Sequence, residues 1–149
     1  MKIVFVCTGN TCRSPMAEAV FKAEAEKRGL DCEVKSAGLA AATGAPASEN
    51  AIIVLNEIGI DISGFRSSSI QNVIYENYDL YVPMTYSHAM MLIDLGIDKR
   101  KIYLFNSAVF DPYGGSVEVY RKTRDQIIGN VKLLADFVES KFGGEKIDK

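Results

Sequence analysis

The chain opens on a nearly unbroken apolar run, Lys2–Cys7 (KIVFVC), rich in β-branched residues. Such a run predicts a strand buried on both faces of a parallel sheet. After a polar loop, Ser14 followed by Pro15 is a helix-start signal: the serine suits the N-cap, and the proline suits the first helical position, where its missing N–H costs nothing. Ala17, Val20, Phe21 and Ala25 recur at helical spacing to about Arg28, and Gly29 fits a C-cap. Cys32–Ala37 reads as a second strand that leaves through Gly38 into a small-residue loop, Leu39–Pro46. A second helix, capped by Ser48, carries Ala51, Ile52, Leu55 and Ile58 on one face and ends at Gly59.

The serine triplet Ser67–Ser69 predicts a short helix through Ile74, and Asp79–Val82 predicts a third strand interrupted by Pro83. A helix over roughly Ser87–Leu95 and a fourth strand at Lys101–Phe105 follow. From near Ser116 the apolar positions Val117, Tyr120, Ile127, Val131, Leu134, Val138 and Phe142 are spaced by 3, 7, 4, 3, 4 and 4, one helical stripe. The tail Gly143–Lys149 reads as frayed. Strands alternating with helices predict an α/β fold in one domain, 1–149, with helices on both faces of the sheet. Active sites in such folds lie beyond the carboxyl ends of the strands, where Cys7 and its loop fall.

Composition narrows the function classes. Seventeen basic and nineteen acidic residues give a net charge of −2, with no run of one sign, which argues against nucleic acid as a partner. No apolar stretch reaches the roughly 20 residues that span a bilayer, and Ile3–Cys7 is too short for a signal peptide. A cytoplasmic protein without a membrane partner is expected. One histidine, His88, and three cysteines, Cys7, Cys12 and Cys32, are too few for a structural zinc site. The odd cysteine count in a chain with an ample core predicts reduced thiols available for chemistry.

The loop Cys7-Thr8-Gly9-Asn10-Thr11-Cys12-Arg13-Ser14-Pro15 joins a strand end directly to a helix start. Gly9 and Asn10 tolerate left-handed backbone, and successive inward N–H groups added to a helix N-terminus build an anion-binding nest. Arg13 adds a bidentate donor for two phosphate oxygens. The positive field of such a nest favours a thiolate at Cys7, placed for in-line attack on phosphorus to give a cysteinyl-phosphate. Ser14 can donate a hydrogen bond to the sulfur. A Cys and an Arg at this spacing are weak alone; the strand before, the Gly-Asn within and the Ser-Pro after agree on one geometry.

Such chemistry needs an acid for the leaving group and then a base for water, and one carboxyl serves both. With histidine scarce, Asp111 in Asp111-Pro112-Tyr113-Gly114-Gly115 is the candidate, since parallel topology returns that loop to the catalytic edge. An ordinary Asp-Pro turn start is the alternative reading. Cys32 reads as a core thiol, and His88 as a surface or capping residue.

The motifs CTGNTCRSP near the start and DPYGG late in the chain resemble the low-molecular-weight protein tyrosine phosphatases, over nearly the whole chain. The resemblance implies a three-layer α/β/α sandwich with a four-stranded parallel sheet, no metal or other cofactor, and phosphorylated proteins as partners. It implies Cys7 as nucleophile, Arg13 as phosphate clamp, Ser14 as thiolate partner, Asn10 as loop organiser, Asp111 as general acid and Tyr113 as an aromatic wall. Thr8, Gly9, Thr11 and Cys12 complete the substrate-binding loop. Cys12 also matches a family position where a second thiol forms a reversible disulfide with the nucleophile, with packing under the loop as the alternative.

The family contains phosphotyrosine enzymes and a bacterial branch that hydrolyses phosphoarginine. The tyrosine enzymes usually carry Ile or Leu before the second cysteine; this chain carries Thr11, as the arginine branch does. A hydroxyl at the rim can bond a guanidinium N–H that methyl groups would leave unsatisfied. Leu39–Pro46 contains no aromatic residue, whereas many tyrosine-specific members carry a second aromatic wall there, and DPYGG lacks the extra tyrosine common in eukaryotic members. Tyr113 suits a phenyl ring, although arginine also stacks on aromatic faces. Phosphoarginine is therefore favoured over phosphotyrosine.

Two rivals remain. Thiol-dependent arsenate reductases have a similar loop but pass oxidation to later cysteines, and none follows Cys32 here. A non-catalytic phosphoprotein-binding module would not need both Cys7 and Asp111. Phosphate, sulfate and vanadate are expected to compete as tetrahedral oxyanions or transition-state mimics. Hydrolysis of p-nitrophenyl phosphate by the intact protein and its abolition in Cys7→Ser is the expected outcome; full activity in the variant excludes the cysteine mechanism, and no turnover by the intact protein favours the binding module.

Overall fold

The computed structural model describes residues 1–141, so the expected frayed tail and Phe142 lie outside the described residues. Strand β1, Lys2–Cys7, is the middle strand of a parallel sheet ordered β2-β1-β3, with β2 at Glu33–Gly38 and β3 at Leu80–Pro83. Ile3 pairs with Val34 on one side and Leu80 on the other. Ile3–Cys7 are all buried, and their alternation divides them between two cores: Ile3, Phe5 and Cys7 face one, Val4 and Val6 the other. A central parallel strand is apolar without interruption because both its faces are covered.

The first core is closed by α1 (Arg13–Arg28), α2 (Glu49–Asn56) and α5 (Val117–Lys141), which contribute Phe21, Leu55, Ile127 and Leu134 among others. The second is closed by α3 (Ile70–Val73) and α4 (Tyr86–Asp94) through Ile70, Val73 and Leu92. The result is the expected three-layer α/β/α sandwich. Gly29 ends α1 in the left-handed region at φ 69°, and its N–H and that of Leu30 return to the last-turn carbonyls, as its C-cap assignment predicts. The stripe on α5 buries Tyr120, Ile127, Val131, Leu134 and Val138. Among the described residues no helix is long and apolar enough to cross a membrane.

Three local expectations are corrected. Helix α1 starts at Arg13, one residue before the predicted cap, and Ser14 lies inside its first turn with its hydroxyl turned to Cys7 and Asn10. No side chain caps that helix start, which leaves its N–H groups to a ligand. Ser48 precedes α2 but makes no side-chain cap; its hydroxyl accepts from Cys12 Sγ at 3.4 Å.

The fourth strand is reduced to one bridge, Tyr81 with Ile102, in which Tyr103 N–H donates to Tyr81 C=O at 3.0 Å. A 3₁₀ turn at Lys99–Lys101, capped by Asp98, takes the first residue expected for the strand. On the far side the ladder stops because Pro83, the next residue of β3 facing that edge, has no N–H to donate. Among the described residues the sheet therefore has three strands rather than the expected four.

Helices α2 and α5 are tied by an ion network that hydropathy does not reveal. Glu57, just beyond α2, receives Arg121 Nη2 at 2.6 Å and Arg124 Nη1 at 2.7 Å, and buried Arg124 also donates to Val54 C=O at 3.0 Å. The Arg121 hydrogen bond first, with Arg124, lowers the Glu57 carboxyl to about 2 from an ordinary value of 4.5. A depressed carboxyl contributes stability that is present above its unfolded value and is lost as pH falls through the folded one. The melting-temperature gap between wild type and Glu57→Gln is thus expected to be largest above about 4.5 and to close as pH falls towards about 2, as followed by thermal unfolding.

Candidate active site

Cys7 ends β1 and is 2% exposed, so its thiol lies at the floor of the following loop. Asn10 turns that loop with φ 55°, one of two non-glycine residues in the left-handed region among the described residues. A short side chain that bonds locally makes this conformation accessible. Gly9 does not adopt positive φ, and a Cβ there would meet only Thr11 Oγ1 at 3.7 Å, so the backbone reversal rests on Asn10 alone.

The buried Asn10 amide uses every polar atom. Nδ2 donates to Ser14 Oγ at 2.8 Å and Ser36 Oγ at 3.0 Å, while Oδ1 accepts the Ser68 N–H at 2.8 Å. Ser36 Oγ donates in turn to Glu18 Oε1 at 2.6 Å. Because Ser14 accepts from Asn10, its own proton is available to Cys7 Sγ, 2.9 Å away. The Asn10 N–H reaches the same sulfur at 3.3 Å, so two donors converge on it. Ser14 thus supports the sulfur from behind, while Thr8, Gly9, Asn10, Thr11, Cys12 and Arg13 line the cavity above it.

That cavity, about 280 Å³, is completed by Asp111 and Tyr113. Arg13 is 6% exposed; its Nη1 donates to Val109 C=O at 3.3 Å and its Nη2 lies 3.6 Å from Asp111 Oδ2. Asp111 is largely exposed, and its Oδ1 accepts the Tyr113 N–H at 3.1 Å, an Asx turn of the kind Asp-Pro initiates. Tyr113 is exposed at the rim. The loop is anchored by α5 side chains that hydropathy reading missed: Gln126 spans Ala108 C=O and Phe110 N–H, and Asn130 donates to Ser107 C=O at 3.0 Å. Polar residues inside an amphipathic helix stripe are the only sequence signal for them.

Cys12 is buried and its Sγ lies 3.2 Å from Tyr120 Oη, whose ionisation burial and the thiol contact push up to about 12. Cys32, expected as a core thiol at the start of the second strand, precedes β2 and is half-buried against the first core. His88 departs from expectation: it is 5% exposed, with Nε2 2.9 Å from Thr8 Oγ1 and Nδ1 2.9 Å from Thr85 Oγ1. Burial foremost, then the charge of Arg13, lowers it to about 4, so it is neutral at neutral pH. Among the described residues no group of three His, Cys, Asp or Glu side chains converges where a metal could sit.

A thiol under an uncapped helix start, beside a buried arginine and facing a carboxylate, on this three-layer fold defines a cysteine-dependent phosphatase. The chain belongs to the low molecular weight phosphotyrosine protein phosphatase family, whose model matches residues 2–143. It is 38% identical to a protein-arginine-phosphatase of Bacillus subtilis over 91% of this chain and 95% of that one. It superimposes with TM-score 0.87 on a mutant of the arginine phosphatase YwlE with a phosphorylated active-site serine, at 37% identity over 93% of this chain and 96% of that one. A low molecular weight protein tyrosine phosphatase from T. tengcongensis is 42% identical with TM-score 0.85, over 91% of this chain and 98% of that one.

The β2 end is as constrained as the loop it supports. A Cβ on Gly38 would lie 2.6 Å from Thr8 C=O and 2.6 Å from Ala41 Cβ. Gly38→Ala is expected to cost about 1–3 kcal/mol in urea unfolding and to lower turnover beyond that loss of folded protein, because the displaced atoms belong to the loop.

Proposed function

We propose that the protein is a protein arginine phosphatase that works through a cysteinyl-phosphate. Cys7 Sγ attacks phosphorus in line as the P–N bond to the guanidine breaks, with Arg13 and the loop N–H groups holding the phosphoryl oxygens. Asp111 gives its proton to the departing nitrogen, then takes one from the water that attacks phosphorus and breaks the S–P bond. Ser14 and the Asn10 N–H receive the returning thiolate, a role supported by their hydrogen bonds to the sulfur. The exposed position of Asp111, 3.6 Å from Arg13, supports its role at the leaving-group side of the cavity. Cytoplasmic action suits the Cys7 and Cys12 thiols, because reducing surroundings keep thiols available for chemistry.

The observation that carries the substrate assignment is Thr11, a hydroxyl in the cavity lining where an apolar side chain would suit a phenyl ring. A guanidinium leaving group has N–H donors that this hydroxyl can accept. The arginine phosphatases among the relatives agree with it. Cys12 is the proposed resolving thiol: peroxide oxidises Cys7 to a sulfenic acid, and condensation with the Cys12 thiol forms the disulfide and releases water.

Phosphoarginine peptides are expected to be turned over in preference to phosphotyrosine peptides, with Thr11→Ile moving the ratio of kcat/KM towards phosphotyrosine by about tenfold or more. A wild-type phosphotyrosine preference that Thr11→Ile leaves unchanged excludes the assignment. Phosphate, sulfate and vanadate are expected to inhibit competitively, and Asp111→Asn to depress turnover by about 10²–10⁴-fold while leaving vanadate competition in place.

A further inference from the structure

His88 is the only histidine in the chain, and none of the steps above uses it. It lies in the first turn of α4, whose N-cap Thr85 accepts the His88 N–H at 3.3 Å. The imidazole then bridges two hydroxyls, with Nδ1 on Thr85 and Nε2 on Thr8, each at 2.9 Å. Thr8 is the first residue after Cys7 and part of the cavity lining. Its carbonyl is held from the other side by the Ala40 N–H at 2.9 Å. Thr8 is therefore gripped twice, through its backbone from the segment after β2 and through its side chain from α4.

We infer that His88 is a positioning residue of the phosphate loop, tying the Thr8 wall of the cavity to the start of α4 and so holding the loop in its anion-binding shape. The inference rests on the reading of this loop as the phosphate site. A neutral imidazole has one donor and one acceptor, so it fits two hydroxyls, one accepting and one donating. The ring is buried with both nitrogens used, and an apolar residue of similar size would fill the same space without the tie. A histidine kept only to fill space would have no energetic coupling to the exposed Thr8.

That coupling is the test. Binding of orthovanadate to the full chain is measured by titration calorimetry for wild type, Thr8→Val, His88→Leu, the double variant and His88→Gln. Thr8→Val and His88→Leu are each expected to weaken binding about three- to tenfold, the worth of one hydrogen bond. The double variant is expected to bind no more weakly than the worse single one, and His88→Gln to recover part of the loss. Wild-type affinity in Thr8→Val, or losses that multiply in the double variant, overturns the inference. Should His88→Leu fail to fold, Thr8→Val and His88→Gln decide by the same affinities. Turnover of p-nitrophenyl phosphate by the same preparations separates the two readings: a wild type that binds vanadate without turnover refutes the catalytic assignment, while the affinities still judge the bridge.

Discussion

The hydrogen bonds of the Asn10 amide are the constraint on which the site depends. A buried amide must satisfy three directions at once, and here they lead to α1, to β2 and to the segment before α3. Those partners fix which atom is nitrogen and which is oxygen, and that choice determines where the Ser14 proton goes. The left-handed backbone of Asn10 then brings its own N–H under the same sulfur. A buried polar network with every member satisfied is rigid because any rotation leaves a desolvated group unpaired. The Cys7 thiol is thus oriented by a residue that carries no charge.

Much of this was legible in the chain. The β-branched run before Cys7, the turn at Asn10, the late Asp-Pro loop and the α5 stripe from Tyr120 to Val138 report local preferences that tertiary packing only reinforces, and each is found where expected. The failures share a physical origin. Ser14 looks like a helix cap because serine beside proline usually is one, yet the sulfur and Asn10 take its hydroxyl. Lys101–Phe105 has the composition of a strand, but strand formation needs a partner edge with donors, and Pro83 withholds one. His88, Gln126 and Asn130 act through contacts distant in sequence, and hydropathy periodicity carries no information about such pairings.

Electrostatics divides the molecule into two regimes. Between α2 and α5, half-exposed Glu57 and Arg121 meet buried Arg124 and affect the stability of the fold under acid. Beneath the loop, the neutral amide, hydroxyl and imidazole groups do the positioning, and the one buried cation there, Arg13, shares the cavity with a carboxylate at its open end. This separation keeps the field inside the cavity governed by a few fixed dipoles and one guanidinium, so an entering dianion meets groups that need little rearrangement to receive it.

The proline that ends β3 has a bearing on how the molecule could diversify. Because strand pairing lapses after one bridge, the stretch leading to Asp111 is held by a single backbone bond, Val109 N–H to Met84 C=O, together with side chains of α5 and Arg13. Register changes, insertions or altered tilt in that stretch can therefore be absorbed without disturbing the strand that bears the thiol. The thiol thus sits on a strand laddered on both sides, whereas the Asp111 carboxylate sits on a loop outside the sheet, and the loop can be remodelled while the strand stays put.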